Sequence, residues 1–179
     1  MICLYCKKKA AEIWIKKKYS NKNKLEPISK YKPNKKIRLG YYSADFYNHA
    51  TSLLIAYMLE LHDKSKFELF GFSFGLDKKD EMRKRVSSSF DHFVDVRLKS
   101  DAEIVKLSRN FKIDIAIDLK GMTTDERFSI FLNRCAPIQV SYLGYPGTSG
   151  ANFIDYIIAD KILIPKENQK FFSEKIIYL

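Results

Sequence analysis

The sequence predicts an α/β fold, an open, Rossmann-like parallel sheet with helices on both faces. Three observations predict it. From residue 36 onward, short apolar segments typical of strands alternate with amphipathic segments typical of helices. The helical segments are about ten residues long, and the connections between successive segments are short. This is the pattern of βαβ units, which place their strands in parallel and cover both faces of the sheet.

The first three segments are two strands that flank one helix. Residues 37–43 form a short apolar and aromatic run, and residues 67–74 alternate apolar with polar side chains. Residues 51–63 between them predict a helix, with Thr51 or Ser52 as its N-cap. The apolar stripe of this helix comprises Leu53, Leu54, Tyr57, Met58 and Leu61.

The remaining segments continue the alternation. Residues 79–87 predict a charged helix, residues 101–111 an amphipathic helix capped by Asp101, and residues 125–133 a further helix. The remaining strands are predicted at residues 93–96, 113–119, 138–143 and 156–159. Because ligands bind beyond the carboxyl ends of the strands in open parallel sheets, the loops that follow the strands are where a site is expected.

The positive charge is concentrated in the N-terminal segment. Residues 1–38 hold thirteen Lys or Arg residues against two acids, which already equals the net charge of +11 of the whole chain. Residues 1–18 predict a helix whose stripe of Cys6, Ala10, Ile13 and Trp14 is expected to pack on an upstream element. Pro27 and Pro33 mark a linker. We therefore divide the chain into a basic helical leader and linker, 1–35, and a folded lobe, 36–179.

Composition also bears on location and partners. No run of eighteen apolar residues is present, so neither a membrane span nor a secretory signal is expected. Three cysteines (Cys3, Cys6 and Cys135) favour a reduced, cytoplasmic protein. Cys3 and Cys6 have the spacing of half a zinc site but lack a second pair, so no metal is expected. The leader lacks interleaved aromatic residues, so a solvated linker is favoured over nucleic-acid binding.

The loop after the first strand places a histidine at the start of a helix. Residues 41–52 contain no glycine, which disfavours a dinucleotide cofactor. The positive end of the helix favours a neutral imidazole on His49 and attracts anions. Such a histidine can take a proton from a hydroxyl or donate to a phosphate oxygen. The alternative is a histidine that only caps or packs against the loop.

Two later loops have the composition of ligand-binding turns. Gly121 permits a tight turn after the strand at 113–119, whose two aspartates, Asp114 and Asp118, either cap loops or face a site. Residues 144–150 contain three glycines, one proline, one threonine and one serine. A turn of this composition exposes backbone N–H groups to a sugar or a phosphate. The alternative is an ordinary connection to the next strand.

Several ordered motifs resemble the catalytic region of the protein O-GlcNAc transferase family and its SPINDLY-like relatives. They are Lys-Ile-Arg-Leu-Gly-Tyr-Tyr-Ser-Ala-Asp-Phe at 36–46 with Asn48 and His49, the segment 113–123, Arg-Cys-Ala-Pro-Ile-Gln-Val at 134–140 with Leu-Gly-Tyr-Pro-Gly-Thr-Ser-Gly at 143–150, and the segments 155–160 and 172–175. The resemblance spans residues 36–179. One departure is Met122, where relatives have histidine or tyrosine.

The resemblance implies the N-terminal lobe of a GT-B glycosyltransferase that moves N-acetylglucosamine from UDP-GlcNAc to Ser or Thr of proteins, with inversion and without metal or cofactor. It implies a catalytic role for His49 and two groups of donor or sugar contacts. These contacts are Gly121, Met122 and Thr123, and Tyr145, Pro146, Gly147 and Thr148. It also implies a tetratricopeptide region, of which residues 1–35 would be the end. A C-terminal lobe is expected to supply most donor binding, and the chain without it is expected to be inactive.

Three alternatives stay open. The SPINDLY-like relatives include protein O-fucosyltransferases, so fucose is a second candidate sugar. A lone lobe can also be a non-catalytic binding module that complements a separate partner. The third alternative is a nucleic-acid binder that uses its basic leader, for which salt-sensitive binding would be the sign.

Overall fold

The computed structural model describes residues 3–20, 25–29 and 31–179, and its centre is one parallel sheet of seven strands. The order across the sheet is β3-β2-β1-β4-β5-β6-β7. The strands are β1 (Ile37–Ser43), β2 (Phe67–Ser73), β3 (His92–Asp95), β4 (Ile115–Asp118), β5 (Ile138–Tyr142), β6 (Tyr156–Ala159) and β7 (Lys175–Tyr178). All six neighbouring pairs are parallel. The predicted fold class is confirmed.

Five α-helices connect or precede the strands in the described part of the chain. They are α1 (Leu4–Tyr19), α2 (Ala50–Glu60), α3 (Glu81–Ser89), α4 (Asp101–Asn110) and α5 (Ser129–Leu132), and a 3-10 helix follows at Lys166–Phe171. The helix predicted over 125–133 is reduced to α5. Asp125 adopts φ 63°, and the carboxylate of Glu126 accepts a hydrogen bond from the Phe128 N–H at 2.6 Å. These local contacts hold the first part of the segment as a loop.

Each face of the sheet has its own hydrophobic core. Leu39 and Tyr41 of β1 point to a core shared with α2 and α3, whereas Tyr42 points to a core shared with α4 and α5. The ring of Tyr42 stacks on that of Phe72 with 4.5 Å between centroids. Alternation along one strand therefore supplies both layers, which confirms helices on both faces.

Helix α2 is rotated relative to the sequence prediction. Its buried side chains are Thr51, Ser52, Ile55, Ala56 and Leu59. In contrast, four members of the predicted stripe are more than half exposed: Leu53, Leu54, Tyr57 and Leu61. Small residues let this helix lie close to the sheet, and the Ser52 hydroxyl donates to the Asp45 carbonyl at 2.6 Å.

The predicted caps of two helices are wrong by one to three residues. His49 caps α2, because its Nδ1 accepts the Thr51 N–H, whereas Thr51 and Ser52 lie inside the helix. Ser100 caps α4 and forms a capping box with Glu103. Asp101, the predicted cap of α4, forms an ion pair with Arg127 instead.

The N-terminal helix packs on the lobe itself. Ala11 and Tyr19 are buried, and Trp14 packs against the core next to α4 and α5. A Cβ on Gly150 would lie 2.5 Å from the Glu12 nitrogen, so the glycine permits this close approach. Of the predicted apolar stripe, Trp14 therefore packs on the lobe itself, and packing of the rest of the stripe on an upstream element stays a prediction. The predicted stripe residues Cys6, Ala10 and Ile13 are exposed.

The predicted linker also contacts the lobe where it is described. The Leu25 N–H donates to the Asn133 side-chain oxygen at 2.8 Å, and the Asn34 side chain donates to Asp114 at 3.0 Å. Residues 21–24 and 30 lie outside the described residues. No helix among the residues described is long and apolar enough to cross a membrane.

Candidate functional site

The candidate site lies at the carboxyl ends of β1 and β4. These strands are neighbours, but the chain leaves β1 toward β2 and leaves β4 toward β5, on opposite sides. Loops that diverge in this way leave a crevice, which is where open α/β sheets bind their ligands. The loops that follow β1, β4 and β5 border it, and they contain all the residues that the sequence predicted for the site.

His49 is oriented by the first turn of α2. Its Nδ1 accepts a hydrogen bond from the Thr51 N–H at 3.2 Å, and its side chain is 39% exposed. Because Nδ1 is an acceptor in this contact, the proton of the neutral ring lies on Nε2. His49 therefore presents a donor at a helix N-terminus, where negative charge is favoured. The capping contact uses Nδ1 and leaves Nε2 available to a ligand.

A buried ion pair lies directly behind His49. The Lys120 ammonium donates to the Asp45 carboxylate at 2.8 Å, and both residues are less than a tenth exposed. The same carboxylate oxygen is 3.8 Å from Nδ1 of His49. Sequence reasoning missed Asp45 and Lys120 as site residues. The signal that could have found them is their position just beyond two strands, but it is informative only once β1 and β4 are known to be neighbours.

The aspartates at the two ends of β4 both accept backbone N–H groups. The Asp118 carboxylate accepts the N–H groups of Lys120 and Gly121 at 2.9 and 3.0 Å. Burial raises the pKa of Asp118 to about 6, although these two hydrogen bonds act in the opposite direction. Asp114 accepts the Arg38 N–H at 2.8 Å. The alternative that they face the site is therefore not what their contacts show.

The turn after β4 joins the loop after β5. Gly121 has φ 59°, and a Cβ placed there would lie 2.4 Å from the Cβ of Tyr145. Any side chain at this position would therefore separate the two loops. Thr123 donates its hydroxyl to the Lys120 carbonyl at 2.9 Å, so it closes the turn. Met122 and Tyr145 both line a cavity that the loop at 144–150 borders.

The loop at residues 144–150 forms one wall of a cavity of about 650 Å³. Five of the eight predicted site residues line this cavity: Met122, Tyr145, Pro146, Gly147 and Thr148. Trp14 and Phe172 belong to other walls of it. The Thr148 hydroxyl donates its hydrogen to Glu174 at 2.8 Å, so this hydrogen is not available to a ligand.

A second cavity, also of about 650 Å³, lies at the ends of β1 and β2. Asp45, Arg97 and Glu126 are among its lining residues. His49 lines neither this cavity nor the one beside Tyr145. A series of contacts links His49 to the loop at 144–150 instead. His49 lies near Asp45, Asp45 pairs with Lys120, and Gly121, next to Lys120, approaches Tyr145.

No three His, Cys, Asp or Glu side chains of the described residues are close enough to hold a metal ion. Cys3 and Cys6 are free and exposed, and Cys135 is free and buried as a small apolar side chain. The expectation of a reaction without metal or cofactor stays a prediction.

Comparison with known proteins identifies relatives over most of the chain. The profile described as glycosyl transferase family 41 matches residues 4–179. A probable UDP-N-acetylglucosamine–peptide N-acetylglucosaminyltransferase, SEC, of Arabidopsis thaliana is 38% identical over 86% of this chain and 16% of its own length. A UDP-N-acetylglucosamine–peptide N-acetylglucosaminyltransferase of Caenorhabditis elegans is 37% identical over 80% of this chain and 13% of its own.

A solved structure shares the fold over the whole chain. A mutant O-GlcNAc transferase of Thermobaculum terrenum superposes with a TM-score of 0.88 at 25% identity, and the match covers 100% of this chain and 34% of that protein. By comparison, the chain spans less than a fifth of the length of the Arabidopsis thaliana and Caenorhabditis elegans relatives. The matched part includes α1 as well as the sheet.

Proposed function

The chain belongs to glycosyl transferase family 41, and on this basis we propose that it is the N-terminal lobe of an enzyme that transfers N-acetylglucosamine from UDP-GlcNAc to Ser and Thr hydroxyls of proteins. One structural observation supports a catalytic role for this lobe. His49 stands at the N-terminus of α2 with its Nδ1 occupied by the Thr51 N–H, at the crevice between β1 and β4. This arrangement places an oriented N–H donor where an anionic group is favoured.

The reaction that we propose is an in-line displacement. The acceptor hydroxyl oxygen bonds to the anomeric carbon, the bond from that carbon to the diphosphate oxygen breaks, the hydroxyl proton passes to a base, and UDP leaves. Nε2 of His49 donates to a phosphate oxygen of UDP-GlcNAc and so stabilises the negative charge that develops on the departing UDP in the transition state. With its proton on Nε2 and Nδ1 engaged, this imidazole is a hydrogen-bond donor in the proposed mechanism.

The loop at 144–150 and Met122 are proposed to contact the sugar side of the donor. A second lobe, outside this chain, is proposed to bind the uridine and most of the diphosphate. Since stabilisation of the leaving group is usually the largest catalytic contribution, we expect little activity from this chain without that lobe. We further propose that the reaction uses no metal or cofactor. The three free cysteines support a cytoplasmic location.

The test is a pair of His49 variants in the full-length gene product. Asn is a good N-cap, so His49→Asn keeps an acceptor for the first turn of α2 but removes the Nε2 donor, whereas His49→Ala removes both. We expect at least about a hundredfold loss of peptide glycosylation in both variants, with thermal stability retained in His49→Asn. Normal turnover by His49→Asn would overturn the role of His49.

The sugar is tested in the same assay. UDP-GlcNAc and GDP-fucose are supplied separately with an acceptor protein, and the mass of the product is measured. An increase equal to one N-acetylhexosamine supports the proposed donor. Transfer of fucose alone would replace it, and no transfer from either donor by the full-length protein would leave a binding module as the function of the lobe.

A further inference from the structure

We propose that the cavity between α1 and the loop at 144–150 binds acidic acceptor segments, that is, extended polypeptide with an apolar side chain beside the modified Ser or Thr and Asp or Glu residues nearby. This inference rests on the proposed function, because it names the class of acceptor for the same site. It is carried by the lining of the cavity and by the location of the lysines.

The cavity is apolar and lacks acidic side chains among the described residues. Aliphatic and aromatic groups form most of its lining: Leu4, Ala10, Ala11, Trp14, Met122, Tyr145, Pro146, Leu163, Phe171 and Phe172. Its volume of about 650 Å³ is large enough for several side chains. Such walls favour an apolar side chain of the ligand, and the proposed chemistry brings polypeptide to this loop.

Lysines surround this apolar lining. Lys7 belongs to the lining itself, and the Lys170 ammonium lies 5.2 Å from the ring centroid of Phe171. The ammonium of Lys18 lies 4.4 Å from the ring centroid of Trp14. Spacings of seven and four residues, which correspond to about two turns and one turn, place Lys7, Trp14 and Lys18 on the same side of α1. A carboxylate next to a bound apolar side chain would therefore meet the positive charge of Lys7, whereas Lys18 already pairs with Glu126.

The charge of α1 is strong and only partly neutralised. The helix carries six lysines and one glutamate. Lys9 pairs with Glu12 and Lys18 with Glu126, whereas Lys7, Lys16 and Lys17 form no ion pair within the described part of the chain. The Lys8 ammonium donates to the carbonyls of Lys170 and Phe172 at 3.2 Å, so it fastens α1 to the far wall of the cavity.

Two described lysines of the basic segment, Lys35 and Lys36, lie elsewhere. Lys35 and Lys36 precede β1 and line a different cavity together with Glu68 and Asp91, at the amino ends of the strands. They are thus on the opposite edge of the sheet from the loop at 144–150. Among the described lysines of the basic segment, those on the side of the site belong to α1, and only a few of them lack an ion pair. A long polyanion such as a nucleic acid would require more of them, so a short acidic peptide fits better.

The experiment measures peptide binding to this chain without donor. Three labelled peptides share a Val-Thr-Val centre and differ only in flanks of Glu, Gln or Lys, and fluorescence anisotropy gives their Kd. We expect the Glu peptide to bind about tenfold more tightly than the Gln peptide in low salt and the Lys peptide most weakly. The difference in Kd between the Glu and Gln peptides should become smaller at high salt, because salt screens charge interactions. Equal affinity for the three peptides would overturn the proposal.

Two charge reversals locate the binding surface. Lys7→Glu and Lys36→Glu change the net charge equally, but only Lys7 lines the cavity. We expect about fivefold weaker binding of the Glu peptide for Lys7→Glu and no change for Lys36→Glu. Fluorescence of Trp14, the only tryptophan, reports whether α1 stays docked. Equal weakening in both variants, or tighter binding of an oligonucleotide than of the Glu peptide, would overturn the proposal in favour of general polyanion binding.

Peptide transfer by the full-length protein separates this inference from the proposed function. Transfer that prefers Glu peptides supports both. Transfer with no preference, together with equal binding of the three peptides, overturns the acidic acceptor alone. Binding that depends on Lys7 without any transfer overturns the glycosyltransferase assignment and supports the acidic-peptide surface.

Discussion

Thr148 donates its hydroxyl hydrogen to the carboxylate of Glu174 at 2.8 Å, and this contact fastens the loop at 144–150 to the start of β7. The same carboxylate accepts the Ser149 N–H at 2.7 Å and the Ser149 hydroxyl. Glu174 is only 5% exposed. The wall of the proposed acceptor cavity is therefore held in shape by a residue far along the chain from it.

Loss of this carboxylate should destabilise the lobe. In Glu174→Ala, the donors of Thr148 and Ser149 lose their buried acceptor, at a cost of about 2–4 kcal/mol in the free energy of unfolding. Urea titration measures the change. Glu167→Ala, on the exposed 3-10 helix, is the matched control and should leave the midpoint unchanged. Equal midpoints for the two variants would show that Glu174 does not hold the loop.

The Asp45–Lys120 pair should behave as a buried salt bridge. Lys120→Met leaves the Asp45 carboxylate buried without its cation, which we expect to cost about 3–5 kcal/mol. Asp45→Asn combined with Lys120→Met removes both charges and should cost less than the sum of the single changes. A double-mutant cycle by urea unfolding measures this coupling. Additive effects of the two substitutions would contradict a direct interaction.

Asp118 predicts a specific pH dependence of stability. Its folded pKa of about 6 exceeds its ordinary value of 3.8, so the folded protein binds the proton more tightly than the unfolded chain. The resulting stabilisation is fully present below pH 3.8 and is lost as the pH rises through about 6. The unfolding free energy of the wild type minus that of Asp118→Asn should fall by an amount on the order of 3 kcal/mol between pH 4 and 7.

Asp91→Asn serves as the control, because its effect on the unfolding free energy should change with pH in the opposite direction. Burial acts to raise the pKa of Asp91, but the hydrogen bond from the Leu69 N–H and the contact with Lys64 outweigh it and hold this pKa below its ordinary value. The difference between wild type and Asp91→Asn should therefore rise with pH. A pH-independent difference for Asp118→Asn would refute the raised pKa of Asp118.

The orientation of α2 is tested by two adjacent residues. Ile55 is 1% exposed and Leu54 is 67% exposed. Ile55→Ala should lower the free energy of unfolding by about 2–5 kcal/mol because it leaves a cavity against the sheet. Leu54→Ala should change it by no more than about 0.5 kcal/mol. Chemical denaturation of both variants decides between this orientation and the one that the sequence predicted.

Strand positions were predictable because they depend on local pattern. The bounds of β1 and β6 agree with prediction, and the resemblance of residues 36–179 to the O-GlcNAc transferase family agrees with the family match. The buried face of α2 was not predictable, because Leu53, Leu54, Ile55 and Leu59 supply apolar residues on more than one side of the helix. Periodicity identifies a face only when the opposite face is polar.

The sequence by itself determined the α/β class, the strands, the loops that border the site and the N-terminal position of His49 on a helix. Only the tertiary structure decided which partners these residues have. Lys120 meets Asp45 across 75 positions of sequence, and Glu174 meets Thr148 across 26. The physical reason is that local patterns specify elements, whereas contacts between distant residues depend on the order of strands in the sheet and on how closely helices pack against it.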